Sequence, residues 1–517
     1  MEAIKPATAK DLVGCRYKLR QRRRFPDVGP TNRSLRRSQR ADAALAAVLA
    51  MLPRAAAIGD KVKFTRIDIP PTTSRSGDDE LFAAEAMTLE ALAHAPTLIT
   101  GAVLTPTVAG TVMRVHPDVL VAQPDGSYCP VIISQHRVAE PARKSTLPVV
   151  GTSRLGLATA VTGHYRLRHH PIDGYRIALA DLGLAEVGLS SGTAGCVGQD
   201  RSRVFFVDAC HYHRPLAKAV AQKAQLSPHR IKQCAGCRFW FDCEKQLKDS
   251  DDISLFLPGD KARALKDKGI DTVSALAGLS GQTAALARAY QAGIPVVRKK
   301  TFTPPVLHDV ELDIDVESFL DRGAYLWGVF DGTTYHSYTT WDGLGGDAEA
   351  GAFADFFHHI RSTVAAARQA GQTVAVHCYA AGGENHWLLS CARRFGGYES
   401  PGGNIAPTER EVREFISSGV WIDVFATVKN NLFGPFGLGL KHVAPVAGFT
   451  WPDDDIDGEV SLHYYRIARG FVTDGEVCAT RARQILLDYN EGDTRATRAV
   501  RHWLAAGAAD TPSITAL

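Results

Sequence analysis

The sequence predicts an α/β protein of two domains joined by a small helical linker, and three observations carry that prediction. Segments at helical spacing alternate with short strand-like runs through most of the 517 residues, of which 45% are hydrophobic and 22% charged, enough to bury two or three cores. A cysteine-rich loop, CAGCRFWFDC, closes a first segment that a lone Cys15 opens, a span of ordinary domain size. A polar, Pro-bearing stretch, VVRKKTFTPPVLHD, then breaks the pattern near Pro304. These marks give a first domain over residues 1–248, a linker over 249–303 and a second domain over 304–517.

Composition narrows the function classes. The most apolar stretch, residues 43–58, is interrupted by Pro53 and Arg54, and no run is long enough to span a bilayer. The first residues lack the charged, apolar, small-residue order of a secretory signal. Ten cysteines without such a signal point to a reducing, cytoplasmic setting and to metal ligation rather than disulfides. The net charge of +4 is small, but Arg16, Lys18, Arg20, Arg22, Arg23, Arg24, Arg33, Arg36, Arg37 and Arg40 crowd one segment with few acids. That is the electrostatic footprint of a phosphate-binding surface, and nucleic acid is the expected partner.

The first domain begins with a helix holding Cys15 and the arginines, then an apolar helix around residues 43–51 and another over 81–95. From Thr97 the period changes to that of strands. TLITGAVLT is followed by GTVMRVHPDVLVAQPDGSYCPVIISQHRV, a hairpin turning at PDGS. A helix, two strands (VGLSSGTAG and RSRVFFVDAC) and the helix HRPLAKAVAQKAQL lead into the cysteine triplet. Cys234, Cys237 and Cys243 offer three soft thiolates from one loop, and Cys15 is the distant fourth. Such ligands suit an iron–sulfur cluster, with zinc as the alternative. Phe239, Trp240 and Phe241 would give the centre a dry shell.

A lone upstream cysteine with this triplet resembles the iron–sulfur RecB-like nucleases, which include CRISPR-associated and helicase-linked members. The resemblance implies a [4Fe–4S] cluster on Cys15, Cys234, Cys237 and Cys243 around a PD-(D/E)XK core. It places Asp118, in HPDVLV, at the family's first acid. The expected Glu-x-Lys, however, reads Ile132-x-Ser134, so one carboxylate and the lysine are absent. The first domain is therefore expected to have lost its chemistry and kept its cluster and basic surface. His136, His169 and His170 are the residues that could replace lost ligands.

Residues 250–280 have the rhythm of a helix–hairpin–helix module. Gly259 opens a helix carrying Lys261, Lys266 and Lys268, and Gly269 ends it. In such modules a turn's N–H groups accept a phosphate.

In the second domain, VLHDVELDIDVESFL is a strand with Asp313, Asp315 and Glu317 on one face, a like-charge cluster that metal ions make tolerable. Two strands of a meander turn at Asp331-Gly332, and GAFADFFHHIRSTVAAARQ is an amphipathic helix. TVAVHCYA is a strand and ENHWLLSCARRF a helix. Near the end, a helix sets Tyr489 and Asp493 four residues apart, on one face.

An Asp-x-Glu strand with a terminal Tyr-x-x-x-Asp helix resembles the DEDD exonucleases of the ribonuclease H-like fold. The pieces YNEGDTRATRAVRHWL, IDVFATVKNNL and LGLKHVAPVAGFTW look like the ribonuclease H-like domain fused to RecB-like nucleases in bacteria. The resemblance implies Mg²⁺ or Mn²⁺ held by Asp315, Glu317, Glu384 and Asp493, with Tyr489 orienting the water. Glu384 stands where most such enzymes have Asp, and Asp423 is the substitute for that ligand. It implies a 3′–5′ exonuclease on single-stranded or flapped DNA, with DNA favoured over RNA. The other reading is a non-catalytic, nucleic-acid-binding iron–sulfur scaffold in repair or recombination. The basic contacts are assigned to Arg20, Arg22, Arg23, Arg24, Arg36, Arg37 and Lys261.

Overall fold

A computed structural model describes residues 6–56, 64–70, 78–222, 225–320, 322–452, 456 and 458–517. The side chain of Arg33, Ile58 and the helix positions 223–224 lie outside the described residues. The chain is a mixed α/β protein that separates into two compact units, Met1–Leu247 and Lys248–Leu517.

The first unit is built on an eight-stranded mixed sheet. At its centre Val119–Ala122 and Tyr128–Ile133 form an antiparallel hairpin, and Thr193–Val197 lies parallel to the second of these strands. A parallel neighbour requires a crossover, which the helix Pro171–Glu186 supplies. Successive residues point to opposite faces, and both faces are covered. Ile99, Leu120 and Ile132 join a core with Ile177 and Leu184 of the crossover helix; Leu98, Val119 and Val131 join one with Val48 and Leu52.

The apolar helix expected around residues 43–51 is the second half of a 20-residue helix, Asn32–Met51, capped by Thr31 accepting from the Ser34 N–H. Arg36, Arg37 and Arg40 therefore ride on this helix, whereas Cys15 stands just before a shorter one, Tyr17–Arg24.

The second unit opens with the short helices Asp260–Lys266, Val273–Ala277 and Gln282–Gln291, which share a core of Ile253, Phe256, Ala262, Val273 and Leu276. Gly259 and Gly269 adopt positive φ, +71° and +77°, at the turns. The strand Val297–Arg298 then pairs with Leu432–Phe433, and Arg298 donates to the carbonyls of Gly507 and Thr511. These contacts tie residues on either side of Pro304 into one body.

The five-stranded sheet that follows has the order Tyr335–Thr339, Gly323–Phe330, Val310–Phe319, Val374–Cys378, Trp421–Asp423. Its first three strands form an antiparallel meander and the last two run parallel to the central one. This 3-2-1-4-5 arrangement is that of a ribonuclease H-like domain. Leu312 and Ile314 of the central strand pack with Trp327, Phe353, Phe356 and Ile360, the last three residues lying in or against the long helix Asp347–Gln369. Glu311, Asp313, Asp315 and Glu317 alternate with them and face the other way, toward the terminal helix Ala479–Ala505.

Candidate active site

Four acids share one face of the central strand, and they are neutralised in two different ways. Asp313 is fully buried and bound by Arg501, with Nε donating to Oδ1 at 2.7 Å and Nη2 to Oδ2 at 2.8 Å. Glu311 lies 2.5 Å from Arg501 Nη1. Burial works against its ionisation, yet the Arg501 contact and the His308 N–H hold it at about 2. The sequence grouped Asp313 with Asp315 and Glu317 as a like-charge cluster that metal ions make tolerable; at Asp313 an arginine does that work.

One step further along the strand the situation reverses. Asp315, Glu317 and Asp493 bring carboxylate oxygens within 4.8 Å of one another. Among the described residues no arginine or lysine forms an ion pair with Asp315 or Glu317. Burial, and then the charges of Asp493, Glu317 and Glu384, push Asp315 well above the usual carboxylate range. Burial and the Asp493 charge push Glu317 up to about 8. Burial raises Asp493 to about 6, against the Trp451 indole, the Lys441 charge and the Tyr489 hydroxyl, all of which favour its ionised form.

Neighbouring side chains fix these carboxylates. Asn490 Nδ2 donates to Asp315 Oδ2 at 2.7 Å, while its own Oδ1 accepts from the Tyr335 hydroxyl at 2.7 Å. Trp451 Nε1 donates to Asp493 Oδ1 at 2.9 Å. Tyr325 and Ser461 reach Glu317 Oε2 only at 3.5 Å, the weak end of hydrogen bonding. Lys441 Nζ sits 3.8 Å from the Trp451 ring centre and 5.6 Å from that of Tyr489, a cation–π stack beside Asp493.

Two glycines make room for this network. Gly328 pairs with Asp315 across the meander, and a Cβ there would strike Asn490 Oδ1 and come within 2.9 Å of the Tyr335 hydroxyl. A Cβ on Gly492 would meet Trp451 Cδ1 at 2.8 Å.

Glu384 opens the helix Gly382–Phe395, directly after the fourth strand. Its Oε2 is buried without a hydrogen-bond partner, and burial, with the Asp423 charge, raises the group to about 7. Its charge acts on both Asp315 and Glu317. Asp423 is a helix cap: Oδ1 accepts from the N–H groups of Phe425 at 2.9 Å, Ala426 at 3.3 Å and Ala380 at 3.1 Å. Its charge reaches the site through Glu384. The sequence reading missed Asn490, Trp451, Lys441 and Gly328. Asn490 alone carried a local signal, lying three residues before Asp493 on the same helical face.

In the first unit, Asp118 Oδ2 accepts from the Ile133 N–H at 2.5 Å and pairs with Arg176 of the crossover helix at 2.8 Å. Ser134 donates to Asp173 at 2.6 Å. His136 shares that carboxylate at 3.1 Å and stacks on His170, while His169 stacks on Tyr212. Cys15, Cys237 and Cys243 gather with Tyr17 and Phe239 in one small cluster, and the charge of Cys234 acts on Cys243. Among the described residues no three of the four sulfurs lie within 4.8 Å of one another. Burial pushes Cys15 and Cys234 up and Cys243 to about 11, and the other thiols of the set add to each shift. Gln21 Nε2 donates to Cys243 Sγ, and the Ile231 N–H to Cys234 Sγ, each at 3.3 Å. Phe239 is fully buried and Trp240 half-buried, but Phe241 is exposed against Phe25, so only two of the three aromatics enclose the thiols.

The arginine-rich segment is partly committed to its own fold. Arg22 pairs with Asp11 at 2.6 Å and Arg24 with Asp242 at 3.2 Å, whereas Arg20 and Arg23 are exposed. In the second unit Lys266 is paired with Asp252 at 2.5 Å and Lys261 is exposed.

Sheet order and the acid-bearing face thus define a ribonuclease H-like domain in the C-terminal unit. A family model described as the RNase_H superfamily matches residues 406–505, spanning the fifth strand and the whole terminal helix with Tyr489 and Asp493. No curated protein and no solved structure matches the chain. No helix among the described residues is long and apolar enough to cross a membrane.

Proposed function

We propose that this protein is a divalent-metal-dependent nuclease that hydrolyses phosphodiester bonds in its C-terminal domain, as a 3′–5′ exonuclease on single-stranded or flapped DNA. One observation carries the reading: Asp315, Glu317 and Asp493 converge, and among the described residues no arginine or lysine pairs with Asp315 or Glu317, while Glu311 and Asp313, on the same strand face, have Arg501. Like charges held this close raise one another's pKa, and a dication relieves that cost. The orphaned Glu384 Oε2 fits the same role. Asp315, Glu317 and Asp493 would hold the metal, with Glu384 completing the set. Bound there, Mg²⁺ or Mn²⁺ would supply an activated water and neutralise charge on the phosphoryl oxygens.

The chain's own groups do the positioning. Asn490 and Trp451 keep Asp315 and Asp493 in fixed rotamers, and Tyr489, whose hydroxyl favours the ionised form of Asp493, would orient the attacking water. Lys441 places a fixed positive charge beside the same carboxylate, where the strand's phosphate would lie.

In this reading the first domain is RecB-like and grips the strand without cutting it. Supporting this, Arg176 occupies the Asp118 carboxylate and Ser134 stands in place of the lysine. Cys15, Cys234, Cys237 and Cys243 would hold a [4Fe–4S] cluster, with zinc as the alternative. N–H···S bonds from Gln21 and Ile231 and the Tyr17–Phe239 shell are the features that tune such a centre. Incubation with Mn²⁺ and DNA labelled at either end tests the function. The reading expects a ladder receding from the 3′ end and protection by a blocked 3′ terminus; internal cuts or a 5′ ladder would overturn the polarity.

A further inference from the structure

Two groups outside the carboxylate site bring metal-ligating atoms within 4.8 Å of one another: His308, Glu311 and His377, and Asp181, Cys210 and His213. Charge separates them. Glu311 already has Arg501 at 2.5 Å, with His502 at 3.3 Å and Arg498 at 4.0 Å, so a dication there would meet a neutralised carboxylate among positive neighbours.

The second group is the reverse case. Asp181, on the crossover helix Pro171–Glu186, is almost fully buried at 2% exposure. Its Oδ2 accepts from His213 Nε2 at 2.9 Å and its Oδ1 from the Ser190 hydroxyl at 2.5 Å. Cys210 lies in the short 3₁₀ turn Ala209–Tyr212, three residues before His213, so helical spacing puts both on one side. Asp208 caps that turn, with Oδ1 accepting the Cys210 N–H at 2.9 Å. Two carboxylates therefore surround one thiol and one imidazole. Their negative charge favours a bound cation between them.

We propose that Asp181, Cys210 and His213 form a site for a zinc-class divalent cation. One thiolate sulfur, one imidazole nitrogen and one carboxylate oxygen are the ligand types such an ion takes, with a fourth position open on the exposed Cys210 side. Binding releases one proton, from the Cys210 thiol. For Nε2 to take the metal the His213 ring carries its N–H at Nδ1, so its hydrogen bond to Asp181 is given up, and the −2 charge of the carboxylate and thiolate balances the ion. The Ser190 hydroxyl keeps its bond to Asp181 Oδ1 and orients that ligand. The site stands apart from the Cys15, Cys234, Cys237 and Cys243 set and shares no residue with it.

Exposure of Cys210 provides the test. Full-length protein stripped with chelator is alkylated with iodoacetamide, with and without added Zn²⁺, and labelling is followed cysteine by cysteine through peptide mass mapping. Cys478, the other exposed cysteine, is the internal control. Zinc is expected to slow labelling of Cys210 by about tenfold or more without slowing Cys478, and His213→Gln and Asp181→Asn should each abolish the protection. Equal labelling of Cys210 with and without zinc, equal slowing at Cys478, or protection that survives either substitution would overturn the site. Co²⁺ titration of His213→Gln beside wild type gives a second readout: the thiolate-to-metal absorption assigned to Cys210 should be lost.

Discussion

Arg501 grips Asp313 with two hydrogen bonds, 2.7 and 2.8 Å long, although 188 positions separate the two residues in the chain. This clamp sets the charge pattern of the whole acid-bearing face: the strand's first two acids are satisfied by protein, and the next two are left for a ligand. Truncation by Arg501→Met would leave buried Asp313 with Arg498 alone, at 3.4 Å, and Glu311 with only the longer contacts to His502 and Arg498. Breaking a buried pair in this way costs about 3–5 kcal/mol, and adding Asp313→Asn should recover part of it. Chemical denaturation of the two variants measures both numbers.

Gly328 is the position where a single methyl should do most damage to the site. Gly328→Ala forces Asn490 away from Asp315 and Tyr335. We expect Mn²⁺ affinity, read by calorimetry, to fall about tenfold or more, with cleavage falling at least as far. Asn490→Ala should reproduce the loss in milder form, because it removes the bond without the clash.

Acid should destabilise the C-terminal unit through His377. Burial, then the Arg501 charge, push its imidazole down to about 3, below the unfolded value near 6.5. The fold therefore favours the neutral ring: its contribution is fully present above about pH 6.5 and is lost as pH falls toward 3. The slope attributable to this group is about 1.4 kcal/mol per pH unit between those limits. Thermal melts from pH 7 to pH 4 should flatten in His377→Gln relative to wild type.

The reach of the sequence can be judged residue by residue. Strand alternation put Asp315 and Glu317 on one face, and helical spacing put Tyr489 and Asp493 on another; both rest on local geometry, which a sequence carries directly. The rest depended on long-range packing. Nothing near Asp313 announces Arg501, nothing near Asp493 announces Trp451, and Gly328 looks like an ordinary strand glycine until Asn490 is seen beside it. The pairing of Arg24 with Asp242, 218 positions away, was hidden in the same way. Nothing near Asp118 announces Arg176, which pairs with it from a helix 58 residues later.

The cysteine centre has a visible test. Protein purified without oxygen should be brown and contain iron and sulfide, and Cys234→Ala or Cys15→Ala should lose both. Colourless protein holding one zinc on these four thiols would assign the centre to zinc instead.

Asp118→Asn should leave the cleavage rate within about twofold of wild type, because the Arg176 pair, not a metal, accounts for that carboxylate. Loss of cleavage in this variant with the fold intact would move the chemistry to the first unit.

The most direct test of the central claim compares wild type with the Asp315→Asn/Asp493→Asn double variant on end-labelled single-stranded DNA in Mn²⁺. Both changes keep shape while removing charge. The account predicts cleavage by wild type alone, with DNA binding retained by both proteins. Equal cleavage by the two, or none by either with binding intact, would contradict it.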